Sequence, residues 1–159
     1  MKAVALLKDI HPNSLVLLVG DGNKRGDVEK VVQEESMKDR VIFAGRRFDI
    51  PQMVSVMDIY CLASTHGEFF PNSIIEAMAM GKPWVGSDIA GLSELTANNT
   101  AGWVTPISDI QALASNLDKL ISNGDLRASR GEAARKHVEA HLTIEKVVDR
   151  ILNAYSSAR

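Results

Sequence analysis

Short, continuously apolar runs alternate along the chain with longer segments of helical periodicity. The runs predicted to be strands are 15–20, 41–45, 59–63, 83–86 and 101–104. The segments predicted to be helices between and before them are 3–10, 28–36, 50–57 and 73–80. Because the runs are apolar at every position, they are typical of strands that helices cover on both faces. Strand and helix in alternation predict right-handed crossovers and an α/β fold with a doubly wound parallel sheet.

The last third of the chain changes to an almost purely helical pattern. Ser108 and Gln111 have the spacing of a capping box, which predicts the start of a helix there. Asn123-Gly124 is predicted to end that helix. Two further helices are predicted over 126–140 and 143–154, which gives the sheet a helical C-terminal tail. We expect one domain over residues 1–159, truncated at its N-terminus, because the chain opens with a helix where a doubly wound domain usually starts with a strand.

Composition narrows the class of function. Eighteen basic and twenty acidic residues leave a net charge of −2, which does not favour a nucleic-acid surface. No apolar run approaches the roughly 20 residues of a membrane helix, and the N-terminus lacks a signal-peptide pattern. Cys61 lies in an apolar run, where we expect a buried thiol, and one cysteine with four scattered histidines gives no metal-ligand spacing. These features suit a cytoplasmic protein.

Ligands of an open parallel sheet bind outside the carboxyl ends of its strands, which indicates the loops 20–22, 45–47 and 65–72. The third loop enters a helix near Ser73, whose free N–H groups favour a phosphate anion. Glu68 lies in this loop, either as a solvated carboxylate or as an acceptor for sugar hydroxyls. Glu76 follows Ser73 by three residues, so a structural capping role and a ligand-binding role both stay open.

The segment from Glu68 to Pro83, EFFPNSIIEAMAMGKP, resembles the E-x7-E signature of the group 1 family of retaining glycosyltransferases. Four further segments agree with that family in order and spacing: LLVGDG at 17–22, RVIFAG at 40–45, SDIAGLSE at 87–94 and AGWV at 101–104. The resemblance covers nearly the whole chain. It implies the Rossmann-like C-terminal half of a GT-B fold, in which two such domains enclose the active site and this one holds the nucleotide-sugar donor.

The resemblance also implies roles for individual residues. Glu68 would bind a hydroxyl of the transferred sugar at the catalytic centre, and Glu76 would bind the ribose hydroxyls of the nucleotide. The other implied donor-site residues are Gly20, Arg46, Arg47, Phe69, Phe70, Pro71, Asn72 and Ser73. Of these, the backbone over 69–73 would meet the sugar and the diphosphate, and the two arginines would border the base. Exposed loop arginines without a ligand, and a 20–22 turn that only ends a strand, remain the alternatives.

Three departures from the family pattern bear on function. Phe69 stands where a glycine usually follows the first glutamate, and Ala90 replaces the first glycine of a pair. The family also carries an arginine and a lysine on the first strand and turn of this domain, where they neutralise the diphosphate. This sequence contains no such strand before its first helix.

The expected function is donor binding within a retaining glycosyltransferase that moves a hexose from a nucleotide diphosphate sugar to a glycan or lipid acceptor. The acceptor would bind to an N-terminal domain outside this sequence, so we expect the polypeptide alone to be inactive. The resemblance implies no cofactor and no metal, since a helix dipole and cations neutralise the diphosphate. It leaves peripheral membrane association of the full protein open. The alternative is a non-catalytic nucleotide-binding or interaction module of the same fold, which the missing cations favour and the two retained glutamates do not.

Overall fold

The computed structural model describes residues 1–65, 70–89 and 91–157. Its strands are β1 (Val16–Val19), β2 (Val41–Gly45), β3 (Tyr60–Leu62), β4 (Trp84–Ser87) and β5 (Gly102–Thr105). Its helices are α1 (Lys2–Ala5), α2 (Arg25–Glu34), α3 (Ile50–Ser55), α4 (Asn72–Ala79), α5 (Ile110–Ser122), α6 (Gly124–His141) and α7 (Ile144–Ser157). Short 3₁₀ turns occupy Lys38–Arg40 and Leu92–Thr96.

All strand pairs in the described ranges are parallel, which confirms the α/β fold with parallel strands. Strand β1 pairs with β2, and in the register of that pair Val16 lies opposite Val41. Strand β4 lies between β3 and β5, so that Trp84 faces Tyr60 on one side and Gly102 on the other. The strands therefore form two sheets, β1-β2 and β3-β4-β5, where the apolar pattern suggested one continuous sheet.

Helix α1 packs against side chains that belong to both sheets. Ala3 and Leu7 belong to an apolar cluster with Val85 of β4 and with helix α5. Ala5 belongs to a second cluster, with side chains of α2 and β2, and Val4 contacts both clusters. The two sheets are thus joined through a helix and its side chains.

The largest buried side chain, Trp84, centres the core that holds helix α4. Ile74 and Met78 of α4 pack in this cluster with Leu92 and Leu95. A Cβ atom at Gly102 would lie 2.2 Å from the indole of Trp84, so the neighbouring strand must carry a glycine there. This core fixes the buried face of α4, which begins at the loop that the sequence singles out.

Two helices of the C-terminal tail have N-caps that differ from those predicted. Asp109, and not Ser108, caps α5, because its Oδ1 accepts a hydrogen bond from the N–H of Ala112 at 2.9 Å. Asn123 caps the start of α6 in the same way, through a 2.9 Å bond from the N–H of Leu126. The Asn123-Gly124 pair therefore does separate two helices, but it begins the second one.

Cys61 is exposed as a residue, whereas burial raises the pKa of its thiol to about 11; the predicted burial therefore holds for the thiol group and not for the residue as a whole. Strand β3 pairs with β4 on one side alone within the described residues, so fewer neighbours cover its side chains. The four residues of β1 are likewise only partly buried, and Ile42 of β2 is 51% exposed. These strands are as apolar as fully buried strands, but their side chains are only partly buried in the structure. In the described part of the chain, no helix is both long and apolar enough to cross a membrane.

Candidate functional site

The carboxyl ends of both sheets face the same side of the molecule. A cavity of about 400 Å³ is lined by Lys24 and Asp27, which follow β1, together with Ala63, Ser87 and Thr105, which lie at the ends of β3, β4 and β5. Since residues that end both sheets share one cavity, the loops after the strands form one edge. The predicted donor-site residues of the described ranges follow β1, β2 and β3, but none of them lines this cavity.

Gly20 and Gly45 join the ends of β1 and β2 at this edge. The N–H of Gly20 donates a 2.8 Å hydrogen bond to the carbonyl oxygen of Gly45. Their φ angles are +129° and +66°, which side chains disfavour, while a Cβ atom at either position would meet nothing within 4 Å. Backbone conformation therefore selects glycine here, and the surface above this turn is open.

Arg46 and Arg47 follow directly, and the structure distinguishes between them. Arg47 donates two hydrogen bonds to Asp49, from Nε to Oδ1 at 2.8 Å and from Nη2 to Oδ2 at 2.5 Å. This pairing lowers the pKa of the Asp49 carboxyl. The guanidinium of Arg46 lies 5.5 Å from the ring centroid of Phe48, which is 88% exposed, and forms no ion pair with any described residue. Arg46 is therefore the arginine with charge available for a ligand.

Helix α4 presents an uncapped N-terminus at the same edge. Its N-cap is Pro71, and no described side chain accepts from the first turn. Asn72 and Ser73 are the first two helical residues, so their amides belong to the set that an α-helix leaves without intrahelical partners. Such amides and the helix dipole together favour an anion.

Glu76 lies in the second turn of α4 with its side chain exposed. Because the N-cap is Pro71, Glu76 is the fifth helical residue and not the third, so the capping-box interpretation does not fit. Within the described residues its carboxylate has neither a hydrogen-bond partner nor an ion-pair partner. This carboxylate is free to accept bonds from a ligand.

The loop that leads into α4 is described only at its end, because Glu68 and Phe69 lie outside the described residues. Phe70 has a φ angle of +54° and packs on Gly91, where a Cβ atom would lie 3.1 Å from its ring. The end of the predicted loop therefore contacts the segment after β4, which belongs to the stretch 87–94 that resembles a family motif.

A second cavity of about 480 Å³ lies beside Phe70, and no motif in the sequence predicted it. Its polar side chains come from Glu94, His137, His141 and Arg150. Desolvation, and then the neighbouring His141, lower the pKa of His137. No group of three or more described His, Cys, Asp and Glu side chains is arranged to hold a metal ion.

The chain is similar to known proteins of one family. The family model described as Glycosyl transferases group 1 matches residues 1–137. The chain is 29% identical over 140 residues to the N-acetyl-alpha-D-glucosaminyl L-malate synthase of Bacillus anthracis, covering 88% of this chain and 36% of that protein. It is 30% identical over 148 residues to the UDP-Gal:alpha-D-GlcNAc-diphosphoundecaprenol alpha-1,3-galactosyltransferase of Escherichia coli, covering 92% of this chain and 38% of that protein.

The fold of the chain is also similar to solved structures. The Anabaena protein HepE, crystallised with UDP, superposes with a TM-score of 0.87 at 28% identity and covers 98% of this chain and 43% of its own. HepE has also been solved in complex with UDP-glucose. The chain therefore spans less than half the length of each of these relatives.

Proposed function

The chain belongs to the glycosyl transferase group 1 family, and from this membership we propose that it binds the nucleotide diphosphate sugar donor within a longer retaining glycosyltransferase. The observation that carries the proposal is Glu76, an exposed carboxylate without a described protein partner, on the helix whose free N-terminus meets the carboxyl edge of the sheets.

Each part of the edge has a chemical counterpart in the donor. The amides of Asn72 and Ser73, with the dipole of α4, would hold the diphosphate. Glu76 would accept hydrogen bonds from the two ribose hydroxyls, and Arg46 would border the base. Glu68 would bind a hydroxyl of the transferred sugar. Catalysis would then consist of positioning the donor and stabilising the departing diphosphate.

The names of the relatives support a uridine donor and a carbohydrate-linked acceptor. UDP-Gal is the donor in the name of the Escherichia coli relative, whose acceptor is a lipid-linked sugar, and HepE was solved with UDP and with UDP-glucose. We therefore propose UDP-hexose as the donor and a glycan or lipid as the acceptor. The acceptor would bind to a domain that precedes this one in the longer protein, and that protein would act in the cytoplasm.

The decisive experiment replaces Glu76 with glutamine. Glutamine keeps the size of the side chain but offers a donor where the second acceptor oxygen was, so the loss of charge-assisted bonds should cost about 1–3 kcal/mol of UDP affinity. That cost corresponds to a Kd about 5- to 150-fold higher by titration calorimetry. The melting temperature should stay unchanged, because Glu76 has no partner in the fold.

Glu139→Gln is the matched control, since Glu139 is an exposed carboxylate of α6 whose partner among the described residues is Arg135 of the same helix. It should change neither UDP affinity nor melting temperature measurably. If Glu76→Gln and Glu139→Gln bind UDP equally well, the ribose role of Glu76 is wrong.

The alternative, a non-catalytic module, predicts a different result with the longer protein. The donor-domain proposal requires sugar transfer by the longer protein and none by the 159-residue chain alone. A radiolabelled UDP-hexose assay on both forms distinguishes them. Transfer by neither form, with UDP binding intact, would favour the module.

A further inference from the structure

Two histidines lie side by side at the end of α6. His137 and His141 are four residues apart, and His141 is the last residue of that helix. Residues at this spacing share one face of a helix. The four histidines and one cysteine of the chain lack the spacing of a four-ligand zinc site, but this pair has the spacing at which one helix can hold a metal ion through two imidazoles.

The distance between the two rings fits a shared metal ion. Their centroids are 5.0 Å apart, and the ring planes are inclined at 57°. For metal–nitrogen bonds of about 2.0–2.1 Å and a tetrahedral angle, the centres of two coordinating imidazoles lie roughly 5 Å apart. Aromatic rings that only pack against each other can also have centroids about 4.5–7 Å apart, so the surroundings of the pair decide between the two interpretations.

The ring nitrogens of His137 and His141 have no hydrogen-bond partner among the described residues. His11 differs in this respect, because its Nε2 lies 2.6 Å from Oδ1 of Asp118. His137 is half-buried, and a polar group that leaves water without gaining a partner costs free energy. A metal ion bound between the two rings would use one nitrogen of each.

Both rings line the cavity of about 480 Å³ beside Phe70, which leaves room for further ligands of an ion. No group of three or more His, Cys, Asp and Glu side chains in the described ranges could hold a metal, so the two imidazoles are the protein ligands that the described part of the chain offers. Water molecules complete the coordination in zinc sites that keep an open position.

The charges around this cavity suit a cation. Glu94 lines it with a carboxylate that has no ion-pair partner among the described residues. The guanidinium of Arg150 also lines it, but its Nη2 donates a 2.6 Å hydrogen bond to the carbonyl oxygen of His141. Because α6 ends at His141, the helix dipole adds partial negative charge beside the two rings. A carboxylate and a helix C-terminus therefore offset the guanidinium.

We propose that His137 and His141 bind one divalent transition-metal ion, such as Zn²⁺, through one nitrogen of each ring. Imidazole ligands suit Zn²⁺, Ni²⁺ and Cu²⁺, whereas Mg²⁺ and Ca²⁺ prefer oxygen ligands. The ion links two positions one turn apart on α6. It therefore stabilises the end of this helix, at the point where the chain continues into α7.

The first test titrates ZnCl₂ into the untagged, metal-free 159-residue chain by calorimetry. We expect one ion per chain and a higher melting temperature with Zn²⁺, because a ligand that binds the folded chain stabilises it. Mg²⁺ should do neither. His137→Gln and His141→Gln should each lower the affinity for Zn²⁺ at least tenfold, since the loss of an outer-shell partner alone costs about 10–100-fold.

Two matched variants locate the site. His11→Gln removes a histidine that is hydrogen-bonded to Asp118, and it should leave the affinity for Zn²⁺ unchanged. The double variant Glu139→His with His141→Gln keeps the number of histidines on α6 but sets them two residues apart, where they share no face. It should bind Zn²⁺ as weakly as His141→Gln does. Its melting temperature without metal should match that of the unaltered chain, because Glu139 and His141 are both exposed.

Three results would overturn the proposal. An unaltered chain that binds no Zn²⁺ would show that the pair only packs ring against ring. Zn²⁺ binding that persists unchanged in both His137→Gln and His141→Gln would place the ion elsewhere. Equal affinity of the double variant and the unaltered chain would mean that the spacing of the pair forms no site. None of these measurements involves a nucleotide, so the result is independent of whether the chain binds a donor.

Discussion

Helices α4 and α6 cross at a point where Gly131 leaves no room for a side chain, and Gly131→Ala tests how the proposed donor-binding helix is held. An ideal Cβ atom at Gly131 would lie 2.0 Å from the carbonyl oxygen of Gly81 and 3.0 Å from its carbonyl carbon. The third neighbour, a ring carbon of Pro83, would be 3.5 Å away. The conflict is therefore with backbone that directly follows α4 and not with a flexible side chain.

The sign of the effect follows from two opposed terms. Alanine in a helix interior is normally favoured over glycine by about 1 kcal/mol. Against this, the new methyl group must move more than about 1 Å away from the Gly81 oxygen, and overpacking of a close-packed core costs about 1–3 kcal/mol. Gly81 cannot easily turn aside, because its φ angle of +70° ends α4 in the left-handed region. We expect the upper part of that cost, and hence a net loss of about 1–2 kcal/mol.

Urea and thermal unfolding of the 159-residue chain measure this loss. A loss of about 1–2 kcal/mol corresponds to a melting temperature lower by roughly 2–8 °C for a domain of this size. Gly26→Ala is the control, because Gly26 also lies in a helix, α2, and a Cβ atom there meets nothing within 4 Å. A Gly131→Ala chain as stable as the Gly26→Ala chain would refute the account of the α4–α6 contact.

Three further predictions concern the C-terminal helices and the link between α5 and the loop after α1. Asn123→Ala removes the cap of α6 and should cost about 1 kcal/mol in urea unfolding, whereas Asn123→Asp should cost little, because aspartate also caps. The hydrogen bond from His11 holds the pKa of the Asp118 carboxyl below its usual range. The stabilisation from Asp118 is thus present above the pKa of about 3.9 that its carboxyl has in the unfolded chain, and it is lost as the pH falls through the lower pKa of the folded state. Asp118→Asn should remove this part of the pH dependence of the unfolding free energy, measured between about pH 2 and 7. Ile151→Glu on α7 should leave the unfolding free energy nearly unchanged, since Ile151 is 50% exposed, and a clear loss would show that α7 packs more tightly than the structure indicates.

The order and type of the elements could be predicted because the apolar periodicity of this chain is strong. Strand β2 was predicted at 41–45 and is found at Val41–Gly45, and α4 was predicted at 73–80 and is found at Asn72–Ala79. Helix α1 is shorter than its predicted span of 3–10, because it ends at Ala5 and the chain continues in turns. Periodicity identifies which segments are apolar on one face, but it does not fix where a short helix tightens into turns.

Burial along the strands could not be predicted in the same way. Cys61 lies in an apolar run that is typical of a buried strand, yet exposure depends on which strands are neighbours, and strand order is not written in the run itself. The residue that caps α5 could not be predicted from the sequence pattern either, because the backbone conformation decides it. Ser108 and Asp109 have similar capping preference, but Ser108 has a φ angle of +64°, which an N-cap residue does not adopt.

The candidate site was predicted to the level of the loop and helix but not of every side chain. The E-x7-E segment correctly indicated a helix that begins at the carboxyl edge, while the spacing of Ser73 and Glu76 could not show that the N-cap is Pro71. Two adjacent arginines were equivalent in the sequence. Arg47 pairs with Asp49 and Arg46 does not. That difference depends on the backbone conformation of the loop over residues 46–49.

The buried and exposed faces of α4 have separate roles in the proposed donor site. Its buried face is fixed by Ile74 and Met78 in the core around Trp84, and its end is fixed by the contact between Gly81 and Gly131. Its exposed face carries Glu76, which contributes no described contact to the fold. Stability and donor affinity should therefore respond separately: Glu76→Gln should lower affinity alone, whereas Gly131→Ala should lower stability. A Glu76→Gln chain that also unfolds earlier would mean that the carboxylate is bound within the protein, and the argument for a ligand at this edge would lose its main support.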